Sequence, residues 1–252
     1  MSLTTLTPDA LRSEFRSFSG HCWRLVESQY VVSTFQLVDS QDEHDRLEEL
    51  LDRKKPPVPH GLEHLHYLLY TPFRYKPAAD GTRFRRKGQR EGAFYSAEQV
   101  ETSVAEVCFW RVVFFAESPE AKIPQGFGDW TAFSVSVATD AMVDITNDAA
   151  PGLRNLADYS ATQAFADQVR EAGGTGIRAI SARCPNKGVT VTWLSASVFT
   201  QSYPIALQSW KIGIRHDGVL AIREFPKLTL RLKAEDLSAD PRLANFDWSR
   251  AF

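Results

Sequence analysis

The chain has 252 residues, 43% hydrophobic and 24% charged, the balance of a globular protein that buries one sizeable core or divides into two small domains. A net charge of −2 supplies no basic field for nucleic acid, and no apolar run reaches the length of a membrane span. Residues 1–10 lack the basic and apolar regions of a secretory leader. The three cysteines, Cys22, Cys108 and Cys184, are too scattered to form a metal pair, which predicts a reducing, cytoplasmic setting.

In chain order, Leu11 to Phe18 predicts a short helix with Asp9 as N-cap. Cys22 to Glu27 predicts a strand in which Arg24 sits among Trp23, Leu25 and Val26. Asp42 to Lys54 predicts a helix with the apolar stripe Leu47, Leu50 and Leu51, acids early and bases late. Pro56, Pro57 and Pro59 interrupt regular structure. Gly61 to Tyr70 predicts a helix ending before Pro72, followed by a loop through Phe73, Arg74, Tyr75 and Pro77.

Ala93 to Ala97 predicts a strand. Glu98 to Phe115 predicts a helix, whose last residues, Val112 to Phe115, also have the composition of a strand. Thr131 to Ala138 alternates as a strand does. Ala161 to Glu171 predicts a helix closed by Gly173 and Gly174. Gly176 to Ala182 and Val189 to Ser195 predict strands. Ser209 to Phe225 predicts a hairpin turning at His216-Asp217-Gly218, and Lys227 to Lys233 a last strand. With no internal repeat and no linker, these elements predict one mixed α+β domain with peripheral helices.

The densest chemistry lies between residues 81 and 106. Gly81-Thr82-Arg83-Phe84-Arg85-Arg86-Lys87-Gly88 is a glycine-bounded basic turn. Phe94-Tyr95-Ser96 follows, then Glu101-Thr102-Ser103-Val104-Ala105-Glu106. Turn, strand and helix in that order bring a cation, an aromatic ring and a carboxylate to one end of a compact unit. Such a trio suits a nucleotide with a leaving group: Arg83 holds phosphate, Tyr95 stacks, and Glu106 stabilises developing positive charge.

Each residue alone also admits an ordinary structural role. Glu106 is then an exposed helical glutamate, Arg83 a solvated loop residue and Tyr95 a half-buried strand aromatic. Arg24, inside an apolar strand, needs a partner, either a structural ion pair or a phosphate or ribose. Ser181 closes an apolar run, as a strand-end residue or as a hydroxyl at a ligand site. His60-Gly61-Leu62-Glu63-His64 fits an inverted zinc-protease pattern, but that pattern requires a helix, and Gly61 weakens one. No P-loop, Ser-His-Asp signature or complete dinucleotide fingerprint is present; the site is predicted to work without a metal.

The segments Trp23-Arg24-Leu25-Val26, Thr71-Pro72-Phe73-Arg74-Tyr75, Gly81-Thr82-Arg83-Phe84, Phe94-Tyr95-Ser96, Glu101 to Glu106 and Ile180-Ser181-Ala182-Arg183 together resemble the RES domain, over roughly residues 20 to 200. Asp39 to Pro72 is a long insertion, and Arg85-Arg86-Lys87 is more basic than usual. The resemblance implies a fold similar to the diphtheria-toxin type of ADP-ribosyltransferase over the whole of residues 1–252, with the N-terminal helix and C-terminal strands packed on the motif-bearing part.

It also implies a bacterial toxin held by an Xre-like antitoxin, with NAD as substrate. Glu106, Arg83 and Tyr95 are then the catalytic residues, and Arg24, Arg83, Tyr95 and Ser181 bind NAD. The Thr-Pro-Phe-Arg-Tyr segment resembles the branch that ADP-ribosylates phosphoribosyl pyrophosphate synthetase. The alternatives are an NAD phosphorylase or glycohydrolase and, from other classes, a non-catalytic nucleotide-binding regulator or a zinc hydrolase.

Overall fold

A computed structural model describes residues 7–28, 37–76, 81–147 and 151–251. Eight strands form one mixed sheet: β1 (Arg16–Glu27), β2 (Phe94–Ala97), β3 (Gly128–Asp144), β4 (Gly176–Ile180), β5 (Val189–Trp193), β6 (Ala206–Arg215), β7 (Gly218–Arg223) and β8 (Leu228–Lys233). Their order is β1-β2-β5-β4-β3-β6-β7-β8. Because β1 also pairs with β3, strands β1, β2, β5, β4 and β3 close on themselves. β6 to β8 extend the sheet as an antiparallel ribbon. The expected α+β class is borne out.

The described residues also form six α-helices: α1 (Pro8–Ser13), α2 (Gln41–Lys54), α3 (Tyr67–Arg74), α4 (Val100–Glu117), α5 (Ser160–Glu171) and α6 (Ala234–Leu237). α4 is apolar on most of its circumference and is correspondingly buried. Val104, Cys108, Phe109 and Val112 pack it against Leu25 of β1, Ala132 of β3 and Trp210 and Ile212 of β6. α5 covers another part of the sheet through Phe165, Ala166 and Val169, together with Ile177 of β4 and Phe84. A third cluster joins Cys22, Phe94, Phe133, Val191 and Trp193 to Leu69 of α3.

Several boundaries differ from expectation. Thr7, not Asp9, caps α1, its hydroxyl accepting from Ala10 N–H, and β1 begins at Arg16. The Val112 to Phe115 run stays helical because Val112, Val113 and Phe115 are buried in the core while Phe114 points to solvent, so packing at helical spacing overrides strand propensity. Residues 61–66 form turns, and α3 runs from Tyr67 through Pro72 to Arg74. Pro72 lies inside this helix, where its missing N–H forgoes the bond to the Leu68 carbonyl, and the helix ends two residues later. Pro77 lies outside the described residues. Leu50 and Leu51 of α2 stay exposed, so the expected stripe is not a core face.

Two glycine sites are as the sequence implies. Gly173 has φ +84 and Gly174 N–H donates to Val169 O at 2.7 Å, a Schellman closure of α5. Gly218, with φ +138, follows the two-residue turn between β6 and β7, and a Cβ there would collide with the Leu232 carbonyl.

Candidate active site

Thr82 to Arg85 form a tight turn closed by Thr82 N–H to Arg85 O (2.8 Å) and Arg85 N–H to Thr82 O (3.2 Å). Phe84 at its tip is buried in the α5 cluster. From α5, Gln163 Nε2 donates to Thr82 O at 2.9 Å and Arg170 donates to Phe84 O from both terminal nitrogens. Tyr95 completes the clamp: its hydroxyl accepts from Phe84 N–H at 3.1 Å and shares a 2.6 Å hydrogen bond with the Thr82 hydroxyl. The turn is thus rigid on both sides of Arg83. Tyr95 is engaged as the residue that holds the arginine, with its own hydroxyl spent on the turn.

Arg83 leaves this turn toward the segment before α5. Its Nη1 donates to Leu153 O at 3.3 Å, and its guanidinium lies 4.9 Å from the centre of the Tyr159 ring, within cation–π range. Its Nη2 is buried and, among the described residues, has no hydrogen-bond partner, an unmet donor at a site that needs an acceptor. Burial lowers the Arg83 pKa from the usual arginine value; Tyr159 and Glu106 oppose that shift and Arg183 adds to it.

Glu106 lies on α4, half-buried. Ser181, just past the end of β4, donates its hydroxyl to Glu106 Oε1 at 2.6 Å. Ser181 Oγ in turn accepts from Arg183 N–H at 3.1 Å and Cys184 N–H at 2.8 Å. With both acceptor positions filled by backbone, its one proton is directed at the carboxylate. Gly188 permits this closeness: Ser181 N–H donates to Gly188 O at 2.7 Å, and a Cβ on Gly188 would collide with Thr102 of α4. Burial raises the Glu106 pKa above the usual carboxyl value, against the lowering effects of the Ser181 bond and of Arg183 and Arg83. Among the described residues nothing donates to its Oε2.

The structure therefore brings Glu106, Ser181 and Arg83 together, with Tyr95 behind Arg83. Arg24 joins only through Tyr95. It shares a side of β1 with Cys22 and Val26, whereas Trp23 and Leu25 pack toward α4. Its Nη1 donates to Tyr95 O at 2.9 Å and its guanidinium lies 5.0 Å from the Phe94 ring centre. No carboxylate among the described residues pairs with it, and burial lowers its pKa to about 10, still a cation at neutrality.

Arg85 and Arg86 do not face the site. Arg85 is buried and donates to the carbonyls of Tyr75, Gln89 and Arg90, while Arg86 pairs with Asp167 of α5.

Four partners went unassigned from sequence. Tyr159, just before α5, lies under Arg83. Arg183, known only as part of the serine block, and Arg242 both donate to the Tyr159 hydroxyl, each at 3.2 Å. Buried Asp240 pairs with both arginines. Across the group three guanidiniums (Arg83, Arg183 and Arg242) face two carboxylates (Glu106 and Asp240). The surplus positive charge favours an anionic ligand.

A surface depression of about 520 Å³, lined in part by Arg16, His21, Glu98, Asp144 and Arg178, contains none of these residues. Its Arg178 is bonded to Glu98 and Asp144, so it reads as a structural ion-pair network.

The His60 to His64 segment is not helical, which removes the geometry the zinc pattern needs. His66 caps α3, its Nδ1 accepting from Leu68 N–H at 3.3 Å. No cluster of potential metal ligands occurs among the described residues. No described helix is long and apolar enough to cross a membrane.

No curated protein matches the chain. Among solved structures, it is similar to a chain of the M. tuberculosis MbcT–MbcA toxin–antitoxin complex, at 16% identity and a TM-score of 0.43. That similarity covers 81% of this chain and 92% of the other. The family model of the RES domain matches residues 58–211, a span that holds Arg83, Tyr95, Glu106 and Ser181 and leaves Arg24 and Asp240 outside. With more than half of its length matched, the chain belongs to the RES domain family.

Proposed function

We propose that this protein is the toxin of a bacterial toxin–antitoxin module that cleaves the nicotinamide–ribose bond of NAD and transfers ADP-ribose to an acceptor protein, phosphoribosyl pyrophosphate synthetase being the candidate. The observation that carries the reading is the Glu106 carboxylate, held by the Ser181 hydroxyl at 2.6 Å and flanked by Arg83, whose buried Nη2 has no partner among the described residues.

The chemistry follows from these groups. As the glycosidic bond breaks, nicotinamide leaves with the bonding electron pair and the ribose becomes oxocarbenium-like. Glu106, with Oε2 open, bonds the ribose hydroxyls and stabilises that charge at a site where no reorganisation is required. Arg83 takes the pyrophosphate, so that binding energy in the fixed half of NAD positions the reacting carbon. Arg24 and the Tyr95 ring flank the nucleotide, and Ser181 acts through Glu106. The acceptor attacks the ribose carbon and loses its proton to the carboxylate or to solvent. Nicotinamide is a good leaving group, and the protein's groups suffice without Lewis-acid assistance. An Xre-like antitoxin restrains the activity, since an enzyme that consumes NAD cannot run free in its own cell.

The test is mass spectrometry of the purified protein incubated with NAD, with and without phosphate, and in bacterial lysate. Free nicotinamide together with a protein heavier by one ADP-ribose supports the reading. ADP-ribose phosphate as the main product would shift it to a phosphorylase, and intact NAD in every arm would refute it.

A further inference from the structure

The segment after β8 lies outside the matched family region, yet it reaches into the site. Asp240 is 2% exposed. Its Oδ2 lies 2.6 Å from Arg183 Nη1 and 3.0 Å from Arg242 Nη2, and its Oδ1 lies 3.0 Å from Arg242 Nε. So fixed, the two arginines converge on one short stretch of chain. Both donate from Nη2 to Leu156 O, Arg242 at 3.1 Å, and both donate to the Tyr159 hydroxyl. The ring they hold is the platform for Arg83, whose Nη1 is bonded to Leu153 O in the same stretch.

A cation–π platform works only if the ring stays under the cation, and among the described residues the Tyr159 hydroxyl is held by the charge-assisted bonds from Arg183 and Arg242. The Glu106 arm meets this one at Arg183: the Ser181 hydroxyl bonds Glu106, and Ser181 Oγ accepts from the backbone N–H groups of Arg183 and Cys184.

We propose that Asp240 is a positioning residue of the substrate site: it locks Arg183 and Arg242 onto Tyr159 and thereby sets Arg83 for the diphosphate of its ligand. The inference rests on the nucleotide reading given above for the choice of ligand. On this reading the C-terminal segment governs anion binding through Arg83.

The test is calorimetry of the full chain with ADP-ribose and with inorganic pyrophosphate, alongside NAD kinetics, for the parent, Asp240→Asn and Tyr159→Phe. Loss of charge-assisted bonds of this kind corresponds to about tenfold in affinity. Both variants are expected to bind both probes about tenfold more weakly and to raise KM for NAD comparably. The double variant is expected to be no weaker than either single one, because both act on the same link.

A purely structural role for Asp240 would instead lower the melting temperature and the active fraction while leaving probe affinity and KM unchanged, and that result overturns the proposal. If Asp240→Asn does not fold, as loss of a buried ion pair permits, Tyr159→Phe decides: parental affinity for pyrophosphate contradicts the proposal and weakened affinity supports it. A parent that binds pyrophosphate but leaves NAD intact refutes the NAD reading while the pyrophosphate comparison still judges Asp240. A parent that binds neither probe refutes both.

Discussion

Ser181 and Glu106, 75 residues apart in sequence, share a 2.6 Å hydrogen bond in which the serine is the donor. The bond lowers a carboxyl pKa that burial raises. The ionised form is the one that stabilises the ribose cation, so activity is lost as pH falls through this value. Ser181→Ala removes a lowering influence and should move the acid limb of kcat/KM to higher pH. A pH–rate profile measures it, and an unshifted limb would show that the serine does not tune the carboxylate.

Glu106→Gln should reduce turnover by about 10²–10³-fold while retaining affinity for ADP-ribose. It should also alter stability with a defined sign. A carboxyl whose folded-state pKa is raised contributes most below its unfolded value, and that contribution is lost as pH rises through the folded one. Above both values the buried charge is a net burden. Glu106→Gln should therefore melt higher than the parent at pH 7, with the difference closing on acidification. Thermal melts across pH check this; a variant that melts lower at pH 7 contradicts the sign.

Arg83→Lys should bind ADP-ribose about tenfold more weakly, because an ammonium reproduces neither a bidentate phosphate grip nor the planar contact with Tyr159. Calorimetry is the direct measurement. Parental affinity in the lysine variant would reduce the role of Arg83 to simple charge.

Tyr95→Phe tests whether the tyrosine works by holding the turn. It leaves the Phe84 N–H without its acceptor, at a cost of about 1–3 kcal/mol, and loosens the turn that carries Arg83. Denaturant unfolding should register the loss and KM should rise more than kcat falls. A stable variant with unchanged KM would contradict this role.

Much of this arrangement was legible in the sequence where the signal is local. The strand around Tyr95, the helix around Glu106, the Asp-Gly hairpin and the glycine closure of α5 each follow from short-range pattern. The turn carrying Arg83 was legible too, because Gly81 bounds it.

What the sequence could not reveal depends on distant contact. Tyr159 meets Arg83 across 76 residues, and Asp240 meets Arg183 across 57; neither lies in a motif. The buried fate of Arg85 was hidden for the same reason, since its three acceptors are backbone carbonyls, which carry no residue identity. The exposure of Leu50 and Leu51 shows the converse: helical spacing marks a face without specifying what packs on it.

The central claim is that the Glu106 carboxylate drives scission of the nicotinamide–ribose bond. Nicotinamide release from NAD by the purified parent and by Glu106→Gln, both verified as folded and as binding ADP-ribose, tests it most directly. The account predicts release by the parent and a loss of about 10²–10³-fold in the variant. Comparable release by the two proteins would contradict it.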